Sequence, residues 1–122
     1  MRADRLRRGD TIGVCSPSFG ALGLFSHRGE RAVANLGESL DLRVTFSPHA
    51  FDHDSWVSAP APDRAEDLHA LFLDPDIKAV ITAIGGDHSN QMLPYLDWDI
   101  IRTHPKIFVG YSDGTVLSLA MY

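Results

Sequence analysis

The sequence predicts an α/β domain in which an open, mainly parallel sheet is flanked by helices. Short apolar runs alternate with helical stretches along the chain, and loops of small polar residues directly follow three of these runs. Strands that alternate with helices favour crossover connections and therefore parallel pairing. Ligands bind such sheets at the carboxyl ends of the strands, so we expect Ser16–Gly20, Gly85–Asn90 and Gly110–Gly114 to form one functional edge.

The elements follow from apolar periodicity and from turn residues. Buried or β-rich runs predict strands, and apolar residues at helical spacing predict helices. The predicted strands are Thr11–Cys15, Leu42–Phe46, Ile77–Ile84 and Lys106–Val109. The predicted helices are Arg28–Leu40, Asp63–Leu73, Asn90–Tyr95, Trp98–Thr103 and Thr115–Tyr122. Between the second strand and the second helix lies a proline-containing connection, 47–62, whose length of about 16 residues is typical of a functional loop.

Composition narrows the class of protein. A chain of 122 residues fits one domain, and a net charge of −5 argues against binding nucleic acid or an anionic membrane. No apolar run approaches the ~20 residues of a membrane span, and no signal peptide is visible. The single cysteine, Cys15, excludes an internal disulfide and indicates a reducing, cytoplasmic location.

The segment Gly110-Tyr111-Ser112-Asp113-Gly114 has the form G-x-S-x-G between a buried strand and a helix. A serine on such a sharp turn stands above the sheet edge and needs small neighbours. The following helix directs N–H groups toward a developing oxyanion. Ser112 is therefore a candidate nucleophile, with helix capping by Ser112 or Asp113 as the structural alternative.

A serine nucleophile needs a base, and the chain has six histidines. His88 is the only one in a loop that leaves the same sheet edge as Ser112, whereas His69 lies in an acidic amphipathic helix and is predicted to be solvated. His49 and His53 have H-x-x-x-H spacing, but their segment has no helical pattern, so a solvated loop is favoured over a metal site. No metal or other cofactor is predicted.

The glycine loop, Gly85–Asn90, follows a buried strand. Two glycines allow a tight turn and close approach of the backbone to a ligand. Ser89 and Asn90 can bind polar substrate groups or cap the next helix. Phosphate-loop motifs are missing, which disfavours a flavodoxin-like nucleotide binder.

Several short motifs occur in a characteristic order along the chain. These stretches are Gly9–Val14, Ser16–Ser18, Asp67–Phe72, Ile84–Gly86, Ser89–Asn90, Leu93–Asp97 and Pro105–Asp113. Together they resemble the N-terminal domain of LD-carboxypeptidases, serine peptidases that include murein-trimming enzymes and microcin C self-immunity proteins, with closer likeness to the immunity branch. The resemblance implies a flavodoxin- or Rossmann-like fold.

The resemblance implies a Ser-His-Glu triad with Ser112 as nucleophile and an oxyanion hole built from the N–H groups of Gly86 and Asp113. It implies that the histidine and glutamate belong to a C-terminal domain outside residues 1–122, so His88 is not the base. We expect the 122 residues alone to be inactive. The expected substrate is a small peptide or peptide–nucleotide conjugate, and the full-length family tends to form homodimers.

A second hypothesis is that the chain has the same fold but no catalytic activity. The chain would then be a catalytically silent binding or assembly module that holds a small ligand at the glycine loop and Gly110–Gly114. The final helix predicted from Thr115 ends in mid-pattern at Tyr122, which favours half of an enzyme. The reading frame beyond codon 122 discriminates between the two hypotheses.

Overall fold

Four parallel strands form the sheet at the centre of the fold. In the computed structural model, which describes residues 2–122, the strands are β1 (Thr11–Cys15), β2 (Arg43–Phe46), β3 (Ile77–Thr82) and β4 (Ile107–Val109). They lie in the order β2-β1-β3-β4, and every neighbouring pair is parallel. The predicted α/β class with an open parallel sheet is confirmed.

In residues 2–122, five α-helices and two 3₁₀ helices connect and flank the strands. The α-helices are α1 (Ala21–Leu24), α2 (His27–Leu40), α3 (Ala61–Leu73), α4 (Trp98–Thr103) and α5 (Thr115–Met121), and the 3₁₀ helices are Ser89–Tyr95 and Ser112–Gly114. Each predicted element is present with ends within two residues of the prediction. The one-turn helix α1 was not predicted, because four residues are too few to show a helical period.

Local chemistry explains several helix boundaries. Helix α3 follows Pro60 and carries Pro62 in its first turn, where a missing N–H costs nothing. The carboxylate of Asp97 caps α4 by accepting hydrogen bonds from the N–H groups of Asp99 (2.9 Å) and Ile100 (3.3 Å). Pro94 lies inside the segment Ser89–Tyr95, which forms a 3₁₀ helix.

The main core lies between the sheet and α3. Leu68 and Phe72 of α3 are buried together with Val80 of β3, Met92 and Leu117. A smaller cluster of Ile12, Leu42 and Ala79, with the partly buried Leu36, covers the opposite side of the sheet. Both faces of the central strands are therefore buried, as expected for a parallel sheet.

His69 occupies a different environment from the predicted one. Its side chain is buried, and its Nε2 accepts a hydrogen bond of 2.8 Å from the N–H of Asp97. The prediction of a solvated position is wrong because α3 packs against the segment Ser89–Tyr95 and against α4. Those contacts cover a helix face that its acidic neighbours suggested was open.

The parallel arrangement brings the three predicted loops to one edge. Ser16–Gly20 follows β1, the glycine loop follows β3 and Gly110–Gly114 follows β4. Since all strands run in the same direction, these loops leave the sheet at the same end. Within residues 2–122, no helix has the length and apolar character required to span a bilayer.

The core assignment can be tested on two leucines of the same helix. Leu71 is 3% exposed and Leu73 is 47% exposed. We expect Leu71→Ala to lower the free energy of unfolding by about 2–5 kcal/mol, because the substitution leaves a cavity. Leu73→Ala is the matched control, with an expected change of about 0.5 kcal/mol. Chemical denaturation measures both, and equal losses would contradict the assigned packing.

Candidate active site

Ser112 lies at a strained turn between β4 and α5. Its φ of 56° falls in the left-handed region, which costs a non-glycine residue free energy. Gly114 donates a hydrogen bond of 3.1 Å to the carbonyl of Tyr111 and closes the turn. Ser112 is exposed, whereas Gly114 is buried. We call residues Gly110–Gly114 the elbow, and its strand–turn–helix context matches the predicted one.

The two flanking glycines of the elbow pack closely on β3. A Cβ atom on Gly110 would lie 3.2 Å from the side chain of Thr82, and one on Gly114 would lie 3.3 Å from the same side chain. A larger residue at either position would force Thr82 or the elbow to shift. Thr82 is therefore the residue whose side chain favours small residues on both sides of Ser112.

The glycine loop packs directly against the elbow. A Cβ atom added to Gly85 would lie 3.1 Å from the Oγ of Ser112 and 3.1 Å from the backbone nitrogen of Asp113. Gly86 has a φ of 143°, and a Cβ atom there would collide with the Oγ of Ser18. Backbone atoms of two loops thus meet beside the Ser112 hydroxyl because glycines allow the approach.

Gly86 retains a free donor. Its N–H has no hydrogen-bond partner within residues 2–122. A free backbone N–H in a loop that packs against the Ser112 hydroxyl through Gly85 can donate to an oxygen that carries negative charge. The role of Gly86 as an oxyanion donor, which the family resemblance implies, stays a prediction.

The carboxylate of Asp113 joins the elbow to the glycine loop. Its Oδ2 accepts hydrogen bonds from the N–H groups of Ser89 (2.9 Å) and His88 (3.1 Å). Burial raises the pKa of Asp113, but hydrogen bonds from Ser89, Ser18 and His88 outweigh burial and hold the pKa below its ordinary value. Asp113 was predicted as a backbone donor or a helix cap; its side chain makes no cap hydrogen bond to the helix that follows and binds the glycine loop instead.

Ser18 and Arg64 connect further loops to the same network. The Oγ of the fully buried Ser18 accepts a hydrogen bond of 2.9 Å from the N–H of His88. The guanidinium of Arg64, on α3, donates to the carbonyls of Pro17 (2.7 Å) and His88 (3.0 Å). Sequence reasoning missed Arg64, because an arginine in the first turns of an amphipathic helix gives no signal that it is buried.

The predicted substrate residues differ in accessibility. Asn90 is exposed, while Ser89 is completely buried beneath the loop and uses its N–H on Asp113. Within residues 2–122, no hydrogen bond joins the hydroxyl of Ser112 to a histidine. His88 contributes its backbone N–H and carbonyl to the network.

His49 is held by a carboxylate on α3. Its Nδ1 lies 2.7 Å from Oδ1 of the buried Asp67, and its N–H donates to Oδ2 at 2.9 Å. The hydrogen bond to Asp67 raises the pKa of His49, with smaller contributions from nearby charges and against the effect of burial. No cluster of three metal-ligating side chains occurs in the described part of the chain.

Cys15 is buried at the end of β1. Burial, together with the charge of Asp67, raises the pKa of its thiol to about 12. The thiol is therefore protonated near neutral pH and is a poor nucleophile. Cys15 is thus a small residue of the main core.

Comparison with known proteins assigns the domain. Residues 12–122 match the family model of peptidase S66, described as the LD-carboxypeptidase N-terminal domain. Over all 122 residues the chain is 41% identical to YocD of Bacillus subtilis and 37% identical to the microcin C7 self-immunity protein MccF of Escherichia coli. It covers 37% of the length of YocD and 35% of that of MccF.

Solved structures agree with the sequence comparison. A structure of MccF in complex with aspartyl sulfamoyl adenosine matches the whole chain at 36% identity with a TM-score of 0.94. The MccF-like protein of Bacillus anthracis matches it at 43% identity with a TM-score of 0.91. The chain covers 36% and 37% of these two proteins, respectively.

The contact between Gly86 and Ser18 leads to a stability prediction. Gly86→Ala is expected to lower the free energy of unfolding by about 1–3 kcal/mol, because alanine disfavours positive φ and its methyl group collides with Ser18. Gly9 also has a positive φ, 86°, but no atom lies within 4 Å of a Cβ there. Gly9→Ala measures the cost of a positive φ at an uncrowded position, and a loss in Gly86→Ala no larger than that in Gly9→Ala would contradict the collision.

The His49–Asp67 pair predicts a pH dependence of stability. A histidine whose pKa is raised by folding contributes stability that is complete below its unfolded pKa, about 6.5. That contribution is lost as the pH rises through the folded pKa. We expect His49→Gln to be destabilising at pH 5.5 and less so at pH 9, as measured by chemical denaturation. A loss that stays constant over this range would contradict the ion pair.

Proposed function

Since this chain belongs to the LD-carboxypeptidase family, peptidase S66, we propose that residues 1–122 carry the nucleophile and the oxyanion hole of a serine carboxypeptidase. The observation that carries the proposal is the exposed Ser112 at a φ of 56°, with the backbone of Gly85 packed against its hydroxyl. Strain at an exposed nucleophile is retained only where the surrounding contacts impose it.

The proposed reaction begins with attack of the Ser112 Oγ on the carbonyl carbon of the scissile amide. A base takes the hydroxyl proton, and the carbonyl oxygen becomes an oxyanion that accepts hydrogen bonds from the N–H groups of Gly86 and Asp113. The proton passes to the leaving amine, the acyl group remains on Ser112, and water releases it by the same route. Each oxyanion donor is worth about 3–4 kcal/mol in such sites.

The base is proposed to come from outside residues 1–122. This explains why Ser112 makes no hydrogen bond to a histidine within the described residues. A serine hydroxyl without a base is a weak nucleophile. We therefore expect residues 1–122 alone to show no turnover. The active form is proposed to be a homodimeric full-length enzyme in the cytoplasm.

The proposed substrate is a small peptide or a peptide–nucleotide conjugate. MccF has been solved with aspartyl sulfamoyl adenosine, and a relative 38% identical over 68 residues is the murein tetrapeptide carboxypeptidase of Pseudomonas aeruginosa. The exposed Asn90 is the candidate for binding polar substrate groups, whereas the buried Ser89 supports Asp113. A silent ligand-binding module remains the second candidate, favoured by the missing contact between Ser112 and a histidine.

Two substitutions at Ser112 test the proposal in the full-length protein. Ser112→Ala is expected to abolish hydrolysis of an LD-linked muropeptide and of a peptidyl-adenylate analogue, while the domain stays folded. Ser112→Gly is expected to abolish hydrolysis and to raise the free energy of unfolding by about 1 kcal/mol, because glycine relieves the positive φ.

The control is Ser39→Ala, at an exposed serine on α2, which should leave both turnover and stability unchanged. Hydrolysis is followed by chromatography of the released amino acid or nucleotide. Turnover that survives Ser112→Ala would reject Ser112 as the nucleophile. A full-length protein that binds these compounds without cleaving them would favour the silent module.

A further inference from the structure

Trp56 lies at the tip of a tight hairpin in the segment between β2 and α3. The N–H of Asp54 donates to the carbonyl of Val57 at 2.8 Å, and the N–H of Val57 donates back at 3.1 Å. Ser55, inside the turn, has a φ of 56°. These constraints hold Trp56 outward, and 75% of its surface is exposed.

The hairpin is fixed to the loop that follows β1. The N–H of Ser58 donates to the carbonyl of Ser18 at 2.8 Å, and its Oγ donates to the carbonyl of Ser16 at 2.6 Å. Ser58 is itself buried. Trp56 is therefore presented by an anchored turn and keeps a defined position beside the glycine loop.

A cavity of about 290 Å³ lies between this hairpin and the glycine loop. The rings of Phe19 and Trp56 border it together with Ile84, and Gly85–His88 completes the lining. Phe19 is itself held by an edge-to-face contact with His53, with 6.1 Å between the ring centroids. Most of the lining is apolar, and the lining includes Gly86, the proposed oxyanion donor.

We propose that this cavity is a specificity subsite that binds a flat, uncharged ring of the substrate next to the scissile carbonyl. The inference rests on the proposed function. Trp56 and Phe19 offer aromatic surfaces to such a ring, and the glycines leave the backbone open to close approach. The carboxylate of the exposed Asp87 on the lining disfavours an anionic group.

The ring can belong to an aromatic side chain of the peptide or to a nucleobase of a conjugate. The experiment therefore measures kcat/KM of the full-length enzyme on three substrates: an LD-peptide with phenylalanine next to the cleaved bond, the same peptide with alanine there, and a peptidyl-adenylate analogue. We expect Trp56→Ala to lower kcat/KM about tenfold on one ring-bearing substrate and to leave the alanine peptide within about twofold. The ring-bearing substrate that is affected identifies the source of the ring.

The matched control is Trp98→Ala, at the other tryptophan of the chain, which is 39% exposed and begins α4. It should affect the three substrates equally or not at all. Trp56→Phe keeps an aromatic surface and should restore most of the selectivity. Equal losses on all three substrates, or no loss on any, would overturn the subsite.

A binding measurement keeps the test independent of turnover. In the Trp98→Phe, Ser112→Ala protein, Trp56 is the only remaining tryptophan within residues 1–122, and its fluorescence in this domain can be compared with that of the same protein carrying Trp56→Phe. Titration with phenylalaninamide or with adenosine should quench the Trp56 signal, whereas alaninamide should not. Quenching with loss of turnover in Ser112→Ala supports both proposals. Full loss of turnover in Ser112→Ala without ring-selective quenching overturns the subsite and leaves the nucleophile standing.

Discussion

The candidate site depends on one buried guanidinium. Arg64 is 2% exposed and donates four hydrogen bonds: Nε to the carbonyl of Ala59 (2.8 Å), Nη1 to those of Pro17 (2.7 Å) and His88 (3.0 Å), and Nη2 to Oε1 of Gln91 (2.8 Å). A buried charge is tolerated only when it is well hydrogen-bonded, and the planar fork of arginine supplies donors in several directions. Burial lowers the pKa of Arg64, and the charge of Asp113 opposes that shift. These acceptors belong to the loop after β1, to the segment between β2 and α3, and to the glycine loop with the 3₁₀ helix that follows it. One side chain therefore fixes the positions of these three segments relative to one another.

The Asp113 carboxylate completes this arrangement from the elbow side. It fixes the N–H groups of His88 and Ser89, while Arg64 binds the carbonyl of His88 from the opposite direction. His88 is therefore held through both its N–H and its carbonyl, and on the other side of Gly86 the carbonyl of Gly85 accepts a hydrogen bond of 3.2 Å from the N–H of Phe19. A strained Ser112 costs about 1–3 kcal/mol, and a network of charge-assisted hydrogen bonds is of the right size to offset that cost.

Much of the fold was predictable because its signals are local. The strand TIGVC, the apolar run from Ile77 and the helix of Ala65, Leu68 and Phe72 each show their period within a few residues. The elbow was predictable for the same reason, since a glycine-flanked serine between strand and helix needs no distant contact to be recognised. The burial of His69 and of Ser89 was not predictable, and neither were the hydrogen bonds that Arg64 donates to three segments of the chain. Each depends on a partner in another segment, as in the bond between His69 and Asp97.

The sequence by itself determined the α/β class, the three loops at one sheet edge, the identity of the candidate nucleophile and the family. These follow from periodicity, turn chemistry and an ordered set of short motifs. Only the tertiary structure decided which polar side chains are buried, that Asp113 binds the glycine loop and that Trp56 borders a cavity beside Gly86. The physical reason is that a buried polar group must find a hydrogen-bond partner. In this domain those partners lie as far as 70 residues away, as for Ser18 and His88.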